Sequence, residues 1–144
     1  MTSAGIAKTL GGKKVLGRSI RSFAELAELI REGLPSDSLI ALGERLDLKN
    51  AALSQKLGIP QRTLTRRLSR HSRLTAAESD RTVRLARVYA TAVDMIGNAA
   101  KAAEWLRTPN RALGGHIPID QLDTDLGTRE VENILGRIAY GVYS

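Results

Sequence analysis

Leu53–Arg70 reads LSQKLGIPQRTLTRRLSR, and its spacing decides the expected fold. Leu53 and Leu57 stand one helical turn apart and share a face. Gly58 supplies the positive φ that a sharp turn between two helices requires. Ile59 fills the gap between those helices, and Pro60 is pre-set for the first position of the second. On that second helix Leu64 and Leu68 point to a core. At about 100° per residue, Arg62, Arg66 and Arg70 occupy the opposite face, flanked by Thr63 and Ser69, with Gln61, Thr65 and Arg67 on the sides. Two short helices about a tight turn, the second carrying an arginine stripe, form the pattern of a helix-turn-helix DNA reader.

The chemistry suits a major groove. Gln bonds adenine bidentately, Arg bonds the N7 and O6 of guanine, and short hydroxyls reach phosphates. The N-terminal residues of a recognition helix point deepest into the groove. Gln61, Arg62 and Arg66 are therefore expected at base edges, and Arg67, Arg70, Lys56 and Thr63 at the DNA backbone. The competing reading is an ordinary helical hairpin with a solvated charged face; the arginine stripe weighs against it.

The rest of the chain fits that reading. Hydrophobic residues make up 42% of the 144 residues but aromatics only 3%. The core must then be Leu, Ala, Ile and Val, which favours closely packed helices. Residues 1–90 hold 17 Lys/Arg against 8 Asp/Glu, and residues 91–144 hold 5 against 7. One part is built to lie near an anion and the other is not. Nucleic acid is the natural partner of the basic part, because contacts to phosphate release condensed counterions. The absence of cysteine excludes disulfides, thiolate metal sites and a cysteine nucleophile. No apolar run approaches the roughly 20 residues needed to cross a bilayer, and Met1–Arg18 lacks a signal-peptide core. A cytoplasmic protein with no membrane association is expected.

Punctuation residues divide the chain. Met1–Arg18 reads as a loose, flexible basic arm (1–18). Ser22 caps a first helix bearing Phe23, Leu26, Leu29 and Ile30, which Gly33 ends. Pro35 stands where a second helix begins, with Leu39, Ile40, Leu42 and Leu46 as its apolar stripe. A short helix over Lys49–Leu57 and another from Pro60 to about Arg70 complete a DNA-binding unit over 19–75. Thr75 and Glu78 have capping-box spacing and open the longest helix, to about Ile96, with apolar residues on more than one side. This connecting helix, 76–97, is expected to serve both halves or a dimer interface. Gly97 breaks it, Asn98 caps a helix to Leu106, and Thr128 is expected to cap a last helix bearing Val131, Ile134, Leu135 and Ile138. Neither a repeat nor a convincing strand is visible. The expected fold is all-α: a helix-turn-helix part followed by a small helical unit over 98–144.

Catalysis finds no support. His71 and His116 lie far apart in unlike settings. Asp120, Asp123 and Asp125 lack the glycine and distal Glu of a calcium loop, and there is no P-loop, G-x-S-x-G or H-E-x-x-H. No enzyme activity, metal or cofactor is expected.

Trp105–Tyr143, WLRTPNRALGGHIPIDQLDTDLGTREVENILGRIAYGVY, holds the remaining information. Thr108 must be extended before Pro109, Asn110 and Gly114-Gly115 suit turns, and Asp123-Thr124 can fix the loop before Gly127. An irregular stretch this long is uncommon in a small domain unless it has a function. Tyr140 and Tyr143 are two of the three tyrosines, and such amphipathic rings anchor interfaces. Arg137, Tyr140, Gly141, Val142, Tyr143 and Ser144 are therefore expected to contact a protein partner, with the final turn entering its pocket. The alternative is that both rings cover this chain's own core.

Two resemblances add to the residue-level reading. Leu53–Arg67 resembles the helix-turn-helix of Xre-type (Cro-like) bacterial regulators. Trp105–Gly115 (W-L-x-x-P-N-x-A-L-G-G), Pro118–Thr124 (P-x-x-x-L-D-T), Gly127 and Tyr140–Tyr143 (Y-G-V-Y) resemble the toxin-binding domain of Xre/MbcA/ParS-like antitoxins. The resemblance implies an antitoxin of a type II toxin–antitoxin system whose partner is a RES-domain toxin that consumes NAD⁺. It also implies a homodimer, or a higher toxin–antitoxin assembly, that represses its own operon. The alternative function is a DNA-binding regulator without a toxin, whose C-terminal unit serves oligomerisation or localisation.

Overall fold

Helix boundaries fall where the capping chemistry puts them. In a computed structural model, which describes residues 1–139, nine helices run in chain order among the described residues. They are α1 (Ser3–Thr9), α2 (Gly12–Leu16), α3 (Phe23–Glu32), α4 (Asp37–Leu46), α5 (Asn50–Leu57), α6 (Gln61–Ser69), α7 (Ala76–Ile96), α8 (Ala99–Arg107) and α9 (Asp125–Ala139). The Ser22 hydroxyl accepts from the Glu25 N–H at 3.1 Å, and the Asn98 side chain accepts from the Lys101 N–H at 2.9 Å. Thr75 and Glu78 form the full capping box of α7: Thr75 Oγ1 accepts from the Glu78 N–H at 3.1 Å, and Glu78 Oε1 from the Thr75 N–H at 2.8 Å. A cap of this kind contributes about 0.5–2 kcal/mol.

The fold is all-α, and α7 is its axis. It buries Val83, Leu85, Ala86, Val88, Tyr89 and Ala92 and packs with α1, α3, α8 and α9. One buried cluster runs from Ile6 through Leu64 to Leu135, so the DNA-reader part and the C-terminal part share a single core. Each fully buried leucine in it contributes about 1.5–3 kcal/mol. Ala86, Ala92 and Ala102 are completely buried, which lets helices approach closely where larger side chains would hold them apart. Burial pushes the Tyr89 phenol up, partly opposed by the nearby Arg45 guanidinium.

Extended pairing among the described residues is confined to one bridge between Pro35 and Arg73. There Leu74 N–H donates to Leu34 O at 2.8 Å and Ser36 N–H to Ser72 O at 3.2 Å. This bridge ties the segment after α6 to the α3–α4 turn.

Three expectations need correction. Met1–Arg18 is not a loose arm: α1 and α2 lie within it, with Ile6, Leu10 and Leu16 buried against the core and Thr2 capping α1 through the Gly5 N–H. The last helix starts one turn before Thr128. Thr124 takes the cap role by accepting from the Gly127 N–H at 3.0 Å, while Thr128 is buried inside the helix and donates to Thr124 O at 2.8 Å. Ile40 is exposed, although Leu39, Leu42 and Leu46 around it are buried. A smaller shift concerns Pro60, which sits at the cap itself, with α6 starting at Gln61.

The connection between α8 and α9 is built rather than loose. Two 3₁₀ turns, Arg111–Leu113 and Pro118–Gln121, interrupt it. Buried Asn110 closes the first: its side chain accepts from the Ala112 N–H, its N–H donates to His116 O, and its carbonyl accepts from Gly115. A Cβ on Gly127 would fall 2.0 Å from Gln121 O. Gly127→Ala is therefore expected to cost about 1–3 kcal/mol. Gly136, inside the same helix, has nothing within 4 Å of its would-be Cβ, so Gly136→Ala is expected to stabilise by about 0.5–1 kcal/mol. Urea midpoints of the two variants, moving in opposite directions, check this contact.

Candidate nucleic-acid and partner interfaces

The turn between α5 and α6 is made as the spacing requires. Gly58 has φ +65°, and Ile59 is 1% exposed between the helices. The Ser54 hydroxyl, buried beneath the turn, donates to the Ile59 carbonyl. Leu64 is fully buried and Leu68 packs against the core, which fixes the rotation of α6. That rotation exposes Gln61, Arg62, Thr65, Arg66, Ser69 and Arg70 together along one open surface. Among the described residues no carboxylate pairs with Arg62, Arg66 or Arg70. A ridge of this kind presents charge to solvent without an internal counter-ion, the state expected of groups that meet phosphate or guanine.

Other expected DNA contacts stand elsewhere. Thr63 is half-buried and does not line the exposed surface. Lys56 Nζ lies 2.5 Å from Asp120 Oδ1, in the second 3₁₀ turn of the C-terminal half. Arg67 turns from the ridge to Glu78, with Nε 3.2 Å from Oε1 and Nη2 3.5 Å from Oε2. Gln61 and Thr65, expected on the sides of α6, both join the ridge, as does Ser69. Two rows at i, i+4 spacing carry that signal: Gln61, Thr65, Ser69 and Arg62, Arg66, Arg70.

Part of the basic excess is internal. Lys56 meets Asp120, the Arg84 guanidinium donates to Leu122 O at 3.2 Å, and Arg87 pairs with Glu132 at 3.3 Å. These contacts use cations of the first half to hold the acidic second half. Glu78 does similar work within the first. Burial pushes its carboxyl up, but the Thr75 backbone N–H, the Arg67 guanidinium and the Thr75 hydroxyl together outweigh this and hold it below the usual carboxylate value. His71, at φ +48°, is exposed with its ring Nδ1 3.3 Å from Asp37 Oδ1. His116 is exposed beside Gly115.

On the partner side, Arg137 is exposed near the end of α9. The expected contacts Tyr140, Gly141, Val142, Tyr143 and Ser144 lie outside the described residues. Among the described residues no cluster of His, Cys, Asp or Glu has the makings of a metal site, and no helix is long and apolar enough to cross a membrane.

Both halves match described domains in this order. Residues 25–87 match the antitoxin Xre-like helix-turn-helix domain, and residues 91–141 match the antitoxin Xre/MbcA/ParS C-terminal toxin-binding domain. Antitoxin Xre of Yersinia enterocolitica is 36% identical over 83% of this chain and 81% of its own length. The chain belongs to the Xre antitoxin family. Antitoxin Xre of Pseudomonas putida is 38% identical over 81% of this chain and 72% of its own. A Prs ADP-ribosylating antitoxin of Sphingobium sp. is more distant, at 25% identity over 93% and 96%. The ridge of α6 thus falls within the DNA-reading domain of an antitoxin, and α8, the two 3₁₀ turns and α9 fall within its toxin-binding domain. Membership places the chain among regulatory type II antitoxins.

Proposed function

We propose that this antitoxin inhibits a RES-type toxin that consumes NAD⁺ and represses its own operon through α6. The observation that carries the reading is the union, on one core, of an unpaired arginine ridge with a span that matches a toxin-binding domain. The choice of a RES partner rests on the resemblance at Trp105–Gly115, Pro118–Thr124 and Tyr140–Tyr143. In this reading Gln61, Arg62 and Arg66 read base edges, while Arg70 and the hydroxyls of Thr65 and Ser69 meet phosphates. Operator binding is by a homodimer, because one recognition helix supplies too little specificity alone. Arg137 and Tyr140–Ser144 contact the toxin, and the terminal rings enter its substrate pocket.

Induction of the neighbouring gene alone tests the toxin part in cells. Growth arrest with a fall in NAD⁺, both reversed by co-expression of this chain, is the expected result. A harmless neighbour that leaves NAD⁺ unchanged contradicts it. Binding to DNA upstream of the chain's own gene, with steep salt dependence, is the matching result for autorepression.

A further inference from the structure

The arginines of α6 are not equivalent. Arg62, Arg66 and Arg70 are exposed and unpaired, whereas Arg67 has a side chain 22% exposed and meets Glu78, 10% exposed, through two guanidinium nitrogens. Glu78 is not free to follow Arg67 outward, because its Oε1 also accepts the Thr75 N–H and its own N–H donates to Thr75 Oγ1. The carboxylate is thereby fixed to the first turn of α7. Arg67 is held at its other end as well: its carbonyl accepts the Ser72 N–H at 3.1 Å and the Ser72 hydroxyl at 3.4 Å. Swinging Arg67 out to a phosphate would leave a largely buried carboxylate without its cation, which is unfavourable compared with an exposed phosphate contact.

We propose that Arg67 and Glu78 are positioning residues that tie α6 to the start of α7 and so set its orientation for base reading, and that Arg67 makes no phosphate contact. The inference rests on the DNA-reading assignment proposed above. Bidentate bonds to base edges depend on direction, so a mis-set helix loses them first. Contacts to phosphate are largely sequence-independent and survive small rotations. The clamp therefore governs specificity rather than general affinity for DNA. Since α7 is the helix on which α8 and α9 pack, the clamp also references the reader to the element shared with the toxin-binding half.

Anisotropy titrations of operator and unrelated DNA over a salt series test this with the full-length chain and with Arg67→Gln, Arg67→Lys and Glu78→Gln. Gln at this position preserves the capping-box bond, so Glu78→Gln removes the charge and spares the cap. Arg67→Gln and Glu78→Gln are each expected to weaken operator binding about tenfold or more. Salt slope and affinity for unrelated DNA should not fall, the double variant should be no worse than either single one, and Arg67→Lys should recover part of the loss. The sign for Glu78→Gln is decisive, because that variant is one charge more positive and long-range attraction alone would tighten binding. A salt slope reduced by about 0.9 in Arg67→Gln, with Glu78→Gln binding as well as wild type, would make Arg67 a phosphate contact and overturn the proposal. Parallel loss of operator and unrelated binding together with the thermal transition would reduce the pair to a fold-holding role and overturn it too. A wild-type chain that binds no DNA at low salt removes the DNA-reading assignment itself, an outcome separate from any difference among variants.

Discussion

Replacing Arg62 and Arg66 together with alanine is expected to abolish operator binding while leaving toxin neutralisation and the melting temperature unchanged. Each bidentate contact to guanine is worth about 1–3 kcal/mol. Losing both corresponds to about 2–6 kcal/mol, or about 30- to 10⁴-fold in affinity. Both side chains are exposed and unpaired within the protein, so their removal strands no buried partner. Leu64, which fixes α6 on the core, is untouched. An electrophoretic mobility series beside a thermal melt checks the result. If neutralisation fell as well, the substitutions would have acted through the fold and not through the ridge.

The opposite separation is expected from truncation after Ile138. In the proposed reading Tyr140 and Tyr143 anchor the toxin, and anchors of this kind are worth about 2 kcal/mol or more each, so inhibition of the toxin should fall by at least about 10²- to 10³-fold. Operator binding should persist, because the truncation leaves α6, the Gly58 turn and the buried Leu64 untouched, and Val131, Ile134 and Leu135 of α9 remain. Inhibition of NAD⁺ consumption by the purified toxin, set beside operator binding by the same sample, measures both halves. Arg137→Ala should have a smaller effect than the truncation, since the role proposed for it is a rim contact and the substitution spares the rings.

Much of the fold was legible because helix ends carry local chemistry. Ser22, Thr75 with Glu78, Gly97 and Asn98 each mark a boundary through bonds spanning three or four residues, and each sits where the sequence put it. The turn at Gly58-Ile59 and the exposed arginines follow from the same short-range rules. Thr124 and Thr128 show the limit. Both are threonines near the helix start, and it is Thr124 whose hydroxyl meets the Gly127 N–H, beside the close approach of Gly127 to Gln121. Met1–Arg18 was misread because its glycines and lysines dominate the composition. Thr2 before Ile6 and Leu10, one turn apart, was the available sign of a capped and buried helix.

The candidate site was legible in part for a related reason. The i, i+4 rows of α6 are local, whereas the partners of Lys56 and Arg67 are not. Asp120 lies 64 residues from Lys56 and Glu78 lies 11 from Arg67. No periodicity within α5 or α6 reveals which cations the protein keeps for itself. Tertiary pairing is what separates Lys56 and Arg67 from the unpaired arginines of α6.

Co-purification of this chain with the protein encoded beside it, followed by an NAD⁺-consumption assay before and after the chain is stripped from the complex, tests the central claim most directly. A stable complex that is silent towards NAD⁺ until this chain is removed is the expected result. A neighbour that forms no complex, or one that leaves NAD⁺ untouched once freed, would contradict the RES-toxin reading.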